Sequence, residues 1–183
     1  MTLVNDLKNI CKDVKGTFLS IGLYYLTVES VIDKNKNITE GYLLVLEGKK
    51  KGKTRSKDYN KKVCRKKISI KKLRKTFKKK SVDTLILNYE DAKKYMRFFI
   101  SDSVYINKGK LYIYGKKDKF TTEDIKSYYG RYNTKIEIKE YDNEFLIIID
   151  NTNSKNNYFK DKMYKFKDTI IYYINVIGDI LIG

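Results

Sequence analysis

Apolar residues recur along this chain with two alternating periods. Leu3, Leu7, Ile10 and Val14 are spaced by four and three, which predicts an opening amphipathic helix that Gly16 ends. TFLSIG, residues 17 to 22, reads as a buried strand, Leu26 to Ile32 as a second helix, and Lys34 to Thr39 as a polar turn. GYLLVLEG is then a continuous apolar run bounded by Gly41 and Gly48. Such a run suits a strand covered on both faces, as in a parallel sheet.

Residues 49 to 62 show no periodicity and are expected to form an exposed loop, whereas Ile68, Ile70, Leu73 and Phe77 would anchor a strand end followed by a cationic helix. VDTLILNY is another apolar strand, and Glu90 to Ser101 places Ala92, Tyr95, Met96, Phe99 and Ile100 at helical spacing. KLYIYG is a short strand, and Thr121 followed by Asp124 signals the start of a helix running to Tyr132. TKIEIKEY alternates Ile136 and Ile138 with charges, turns at Asp142-Asn143 and returns as EFLIIIDN, an antiparallel hairpin. After a polar loop, Tyr158 to Ile182 reads as a closing helix, whose face of Ile170, Ile171, Ile174, Ile177 and Leu181 is expected to pack on the sheet.

Alternating strands and helices predict an α/β fold with a mostly parallel, doubly wound, Rossmann-like sheet, closed by the antiparallel pair and followed by the last helix. At 183 residues the chain suits one domain, 1 to 183.

Charge changes the picture, because it is segregated. Residues 49 to 80 hold 15 Lys and 3 Arg against Asp58 alone, a net +17 out of +18 for the whole chain. Usage skewed to Lys, Ile, Asn and Tyr is what an AT-rich coding sequence gives, so lysine abundance by itself says little. Its clustering says more: elsewhere Lys and Arg are matched by Asp and Glu. Such density implies a solvated segment or a polyanionic partner, nucleic acid or anionic membrane. The candidate contacts are Lys49, Lys50, Lys51, Lys53, Arg55, Lys61, Lys62, Arg65, Lys66, Lys67, Lys71, Lys72, Arg74, Lys75, Lys78 and Lys79. DNA and RNA are not distinguished by this pattern.

The chain has no histidine, which removes Ser-His-Asp triads, Cys-His dyads and histidine metal sites. Cys11 and Cys64 are too few for a zinc site; Cys11, beside Ile10 and Val14, reads as a buried structural thiol, and Cys64 stands among cations. The N-terminus mixes charges with apolar residues at helical spacing, unlike a signal peptide, so a cytoplasmic location is expected. The apolar stretch from Ile170 to Ile182 is interrupted by Asn175 and Asp179 and is shorter than the ~20 residues that span a bilayer.

Over about residues 1 to 150 this order of elements resembles the class I S-adenosylmethionine-dependent methyltransferases, whose seven-stranded sheet ends in an antiparallel pair. The resemblance implies S-adenosylmethionine at the carboxyl ends of the strands, the place where open α/β sheets bind ligands. It assigns Gly22 to the glycine turn after the first strand and Glu47, which ends YLLVLE, to the ribose-binding acid. Asn88 and Tyr89, ending TLILNY, stand where amino-group methyltransferases carry Asn-Pro-Pro-Tyr, here without the prolines, and would be the catalytic pair. Ser20 stands where a carboxylate is common, and Tyr24 and Leu26 where further glycines are expected. The function expected is a divergent methyltransferase-like domain that binds nucleic acid through residues 49 to 80 and methylates it, with Tyr24, Tyr25 and Tyr89 available to stack on a base. The alternatives are a noncatalytic nucleic-acid binder, or a protein held on anionic membrane by the same lysines and the last helix, on the same scaffold.

Overall fold

The computed structural model describes residues 2–23, 25–46, 62–68, 72–93, 96–117, 122–154 and, nearer the carboxyl end, 162–164, 166–167, 169–171 and 173–174. Helix α1, Leu3–Asp13, opens under a Thr2 cap whose hydroxyl accepts from the Asn5 amide, and it buries Leu3, Leu7 and Cys11 on one stripe. Its last carbonyls would be orphans at a helix end. The buried side-chain amide of Asn35 donates to the carbonyls of Cys11 (2.8 Å), Lys12 (3.2 Å) and Val14 (2.9 Å), and so fastens the end of α1 to the end of α2, Leu26–Lys34.

Seven strands follow from the apolar runs: β1 (Gly16–Ile21), β2 (Ile38–Leu46), β3 (Val63–Ile68), β4 (Val82–Asn88), β5 (Asn107–Lys116), β6 (Lys135–Glu140) and β7 (Glu144–Asp150). They form one sheet in the order β3-β2-β1-β4-β5-β7-β6. The first five are mutually parallel, β7 runs antiparallel to β5, and β6 pairs antiparallel with β7. The α/β sheet closed by a hairpin is therefore present in full.

Both faces are covered, which is why the central strands carry no polar alternation. Phe18 and Ile86 face α1 and α2 with Leu7, Val28 and Ile32. Leu19, Ile21, Leu85 and Leu87 face the other side, against α3 (Leu73–Thr76), α4 (Tyr89–Ala92), α5 (Met96–Ile106) and α6 (Thr122–Gly130). At the amino end of β4 and β5 the Lys80 ammonium donates to the carbonyls of Asn107 (3.1 Å) and Asn151 (3.4 Å) and to Ser154 Oγ (2.6 Å), while the Asn107 amide reaches the carbonyls of Val82, Asp83 and Lys110. Burial lowers the Lys80 pKa.

Three expectations need adjusting. The cationic helix shrinks to the four residues of α3, because Phe77 leaves helical conformation and turns inward, edge-on to Tyr42 at 5.0 Å. Helix α5 extends past Ser101 to Ile106, since Asp102 and Ser103, polar in sequence, are buried with partners of their own. In the closing helix, Tyr164 and not the isoleucine face meets the core: Ile170 and Ile174 are exposed and Ile171 is half-buried, while Ile177 and Leu181 lie outside the described residues.

Candidate functional site

The sheet order reverses between β1 and β4, the position where open α/β sheets hold ligands beyond the strand ends. Gly22, directly after β1, has φ +72°, a left-handed conformation that glycine adopts without strain. Its amide donates to the Leu44 carbonyl (3.0 Å), and its carbonyl accepts from the buried Tyr114 hydroxyl (2.9 Å). A Cβ added at Gly22 would collide with the carboxylate of Asp91 and come within 3.0 Å of Asn88 Cβ. The missing side chain thus makes room for the first turn of α4, not for an open cavity.

Asn88 ends β4 as expected, and its side-chain oxygen accepts from the Glu90 amide (2.9 Å), so it caps α4. Tyr89 is 2 % exposed; its ring meets Phe145 edge-on at 5.6 Å and lies against Gly115. The structure therefore places Gly22, Asn88 and Tyr89 at one corner, but turns Asn88 to helix capping and Tyr89 into the core. Tyr25 is half-buried beside Tyr114 (5.8 Å between ring centres) and donates to Glu144 (3.4 Å). Burial, then the Glu144 charge, raises the pKa of its hydroxyl. Leu26 is exposed. Glu47 and Tyr24 lie outside the described residues.

One residue at this corner escaped the sequence reading. Asp91, 8 % exposed, supplies the carboxylate that faces Gly22; an acid in the first helical turn after a strand end, opposite a glycine, was the available signal. Ser20 is fully buried between Leu43 and Ile86 of the neighbouring strands, and its hydroxyl has no hydrogen-bond partner among the described residues. A cofactor resting on the backbone at Gly22 would share that space with the Asp91 carboxylate, the movable end of a side chain.

The basic stretch divides by residue type. Arg65, on edge strand β3, reaches back to α2, with Asp33 at 3.2 Å and Glu29 at 3.8 Å. Burial raises the Glu29 pKa and the Arg65 charge pulls it back. Arg74, on α3, pairs with Asp102 at 2.6 Å, donates to Ser101 Oγ (2.6 Å) and its carbonyl (3.0 Å), and lies over the Tyr105 ring at 4.6 Å. Both arginines tie the stretch to the body. By contrast Lys62, Lys72, Lys75, Lys78 and Lys79 are exposed, and among the described residues Lys72, Lys75, Lys78 and Lys79 make no ion pair. Lys66 and Lys67 fall on β3; Lys49, Lys50, Lys51, Lys53, Arg55, Lys61 and Lys71 lie outside the described residues. Cys11 is buried with its thiol pKa pushed up to about 12, and Cys64 is half-buried.

No protein-family model and no curated protein matches this sequence. Solved structures do. An O-methyltransferase family protein from Burkholderia thailandensis superposes with a TM-score of 0.56 at 11% identity, over 81% of this chain and 56% of that one. The chain thus spans little more than half the length of that protein. A putative type 11 methyltransferase from Sulfolobus solfataricus gives 0.53 at 13% identity, over 86% and 94% of the two chains. Precorrin-6y C5,15-methyltransferase from Geobacter metallireducens gives 0.56 at 12%, over 80% and 87%. The likeness is one of fold: the chain has the class I S-adenosylmethionine-dependent methyltransferase fold.

Proposed function

We propose that this protein binds nucleic acid through the lysines of residues 49 to 80, on a methyltransferase fold whose strand-end corner has been given over to structure. The observation that carries this reading is the split within the stretch: Arg65 and Arg74 are spent on internal acids, while Lys72, Lys75, Lys78 and Lys79 face solvent. Internal pairing alone would have accounted for cations of both kinds. Lysine is a flexible, strongly hydrated point charge, suited to sequence-independent contact with phosphates, which is driven by release of condensed counterions. Fluorescence anisotropy with a labelled oligonucleotide of arbitrary sequence tests it. Reversing four charges, Lys72→Glu, Lys75→Glu, Lys78→Glu and Lys79→Glu, should abolish binding at moderate salt, and unchanged binding would exclude this surface.

Methyl transfer is not part of this reading, because Asn88 and Tyr89 are committed to a cap and to the core and Asp91 fills the space at Gly22. Titration calorimetry with S-adenosylmethionine should give no saturable heat at millimolar ligand. Saturable binding would restore the enzymatic alternative, in which the bound polymer is the methyl acceptor.

A further inference from the structure

A cavity of about 610 Å³ lies between α1 and the strands β4, β5, β7 and β6. Asp6, Ile10 and Asp13, spaced by four and three, are the side of α1 that lines it. On the sheet, the ladder sets Tyr112 of β5 opposite Ile148 of β7, and Ile148 opposite Glu137 of β6, so the three form one row on one face. Tyr112 is 9 % exposed, and its hydroxyl makes no hydrogen bond among the described residues. Tyr114 and Tyr129, also buried, do bond, to the Gly22 carbonyl and to Ser103. A hydroxyl held this deep ordinarily has a partner, and at Tyr112 the space for one is the cavity.

The charges around that hydroxyl have one sign. Burial first, then the Asp13 carboxylate, the Cys11 thiol and the Asp150 and Glu137 carboxylates, push its pKa up to about 12. It stays protonated, with lone pairs free to accept. The lysines of the lining are engaged or stand at its rim: Lys139 lies 3.3 Å from Asp6, and Lys110 faces Asp150 across the β5–β7 ladder. Asp83 is matched by Lys108 at 3.0 Å. Asp13 and Glu137 make no ion pair among the described residues. A carboxylate in the last turn of a helix opposes the helix dipole, so Asp13 does not serve α1 itself.

We propose that this cavity binds a small organic monoamine, its ammonium held at the Tyr112 hydroxyl by Asp13 and Glu137 and its apolar body resting on Ile10, Val14 and Ile148. Charge-assisted hydrogen bonds to carboxylates are the strong kind, and the volume is that of a small-molecule site. Lys15 and Lys110 in the lining would repel a second positive group, which selects a monoamine over a polyamine. The site is on the opposite sheet face from α3 and its lysines and does not depend on their binding nucleic acid.

Ligand-observed saturation-transfer NMR on the full-length protein tests the proposal with three probes of one shape: phenethylamine, phenethyl alcohol and phenylacetate. The amine should bind saturably and at least tenfold more tightly than the alcohol or the acid. On a protein of net charge +18, non-specific attraction would favour the acid, so this preference reports the site. Asp13→Asn combined with Glu137→Gln changes exposed positions and should weaken amine binding at least tenfold, and Tyr112→Phe at least threefold, with circular dichroism confirming each fold. Charge reversal at Lys72, Lys75, Lys78 and Lys79 should leave amine binding unchanged. No saturable amine binding, equal binding of the three probes, or wild-type affinity in the Asp13→Asn, Glu137→Gln variant would each overturn the proposal.

Discussion

Arg74 and Lys75 are neighbours in one cationic run, yet they do opposite work. Arg74 lies between the carboxylate of Asp102, itself 9 % exposed, and the Tyr105 ring, so removing it leaves a buried charge without its partner. Arg74→Ala should cost about 2 to 4 kcal/mol in urea denaturation, and Lys75→Ala less than about 0.5 kcal/mol. Equal, small effects would mean that the whole run is surface. None of this division was legible from the residues themselves, since the acids that claim Arg74 and Arg65 lie 28 positions ahead and 32 positions behind. Gly22 was legible, as a turn glycine after an apolar strand. Its reason was not: the chain needs the space for Asp91, a carboxylate distant in sequence. Asn88 shows the ambiguity most plainly, because an amide at a strand end that also precedes a helix serves a ligand or a cap with the same atoms, and here it caps.

Among the elements, the strands followed from their apolar runs because both sheet faces are covered, so burial and hydropathy coincide along β1, β2, β4 and β7. Boundaries were lost where polar residues are buried by partners far along the chain. Helix α5 runs on through Ser103, whose hydroxyl meets that of Tyr129 at 2.8 Å, and β5 begins at Asn107, whose amide binds three backbone carbonyls; hydropathy records neither. Charges on edge strand β3 have a second use, since lysine-rich edges resist pairing with other chains. Helix α1 is tied to the hairpin by Asp6, whose carboxylate accepts from the Tyr141 hydroxyl (2.7 Å) and the Lys139 ammonium (3.3 Å). Those contacts, Tyr141's first, hold the Asp6 pKa below its ordinary 3.8 against the opposing effect of burial. A depressed carboxylate stabilises the fold fully above its unfolded pKa, and this contribution fades as pH falls through the folded value. Stability should therefore drop more steeply below about pH 4 in the wild type than in Asp6→Asn, and Tyr141→Phe should cost about 1 kcal/mol near neutrality. Parallel pH profiles in chemical denaturation would show that this tie contributes nothing.

At the scale of the molecule, a doubly wound sheet of the methyltransferase class carries two surfaces that the fold itself does not require: a group of exposed lysines and an apolar helix stripe. The sheet class and its closing hairpin were readable because alternating strands and helices, given right-handed crossovers, leave few arrangements open. The way the helix faces was not, because amphipathic periodicity states that a face is apolar without saying whether protein or something else covers it. A cationic surface that meets phosphates by counterion release makes a quantitative demand, since each phosphate neutralised steepens the fall of affinity with salt. The direct measurement is the slope of log Kobs against log salt concentration for the unmodified protein and a duplex oligonucleotide of arbitrary sequence. Engagement of Lys72, Lys75, Lys78 and Lys79 alone predicts a slope of about −3.6, steeper if further lysines of the stretch join, and nearly the same value for unrelated sequences. A slope near zero, or no association at low salt, would contradict the account.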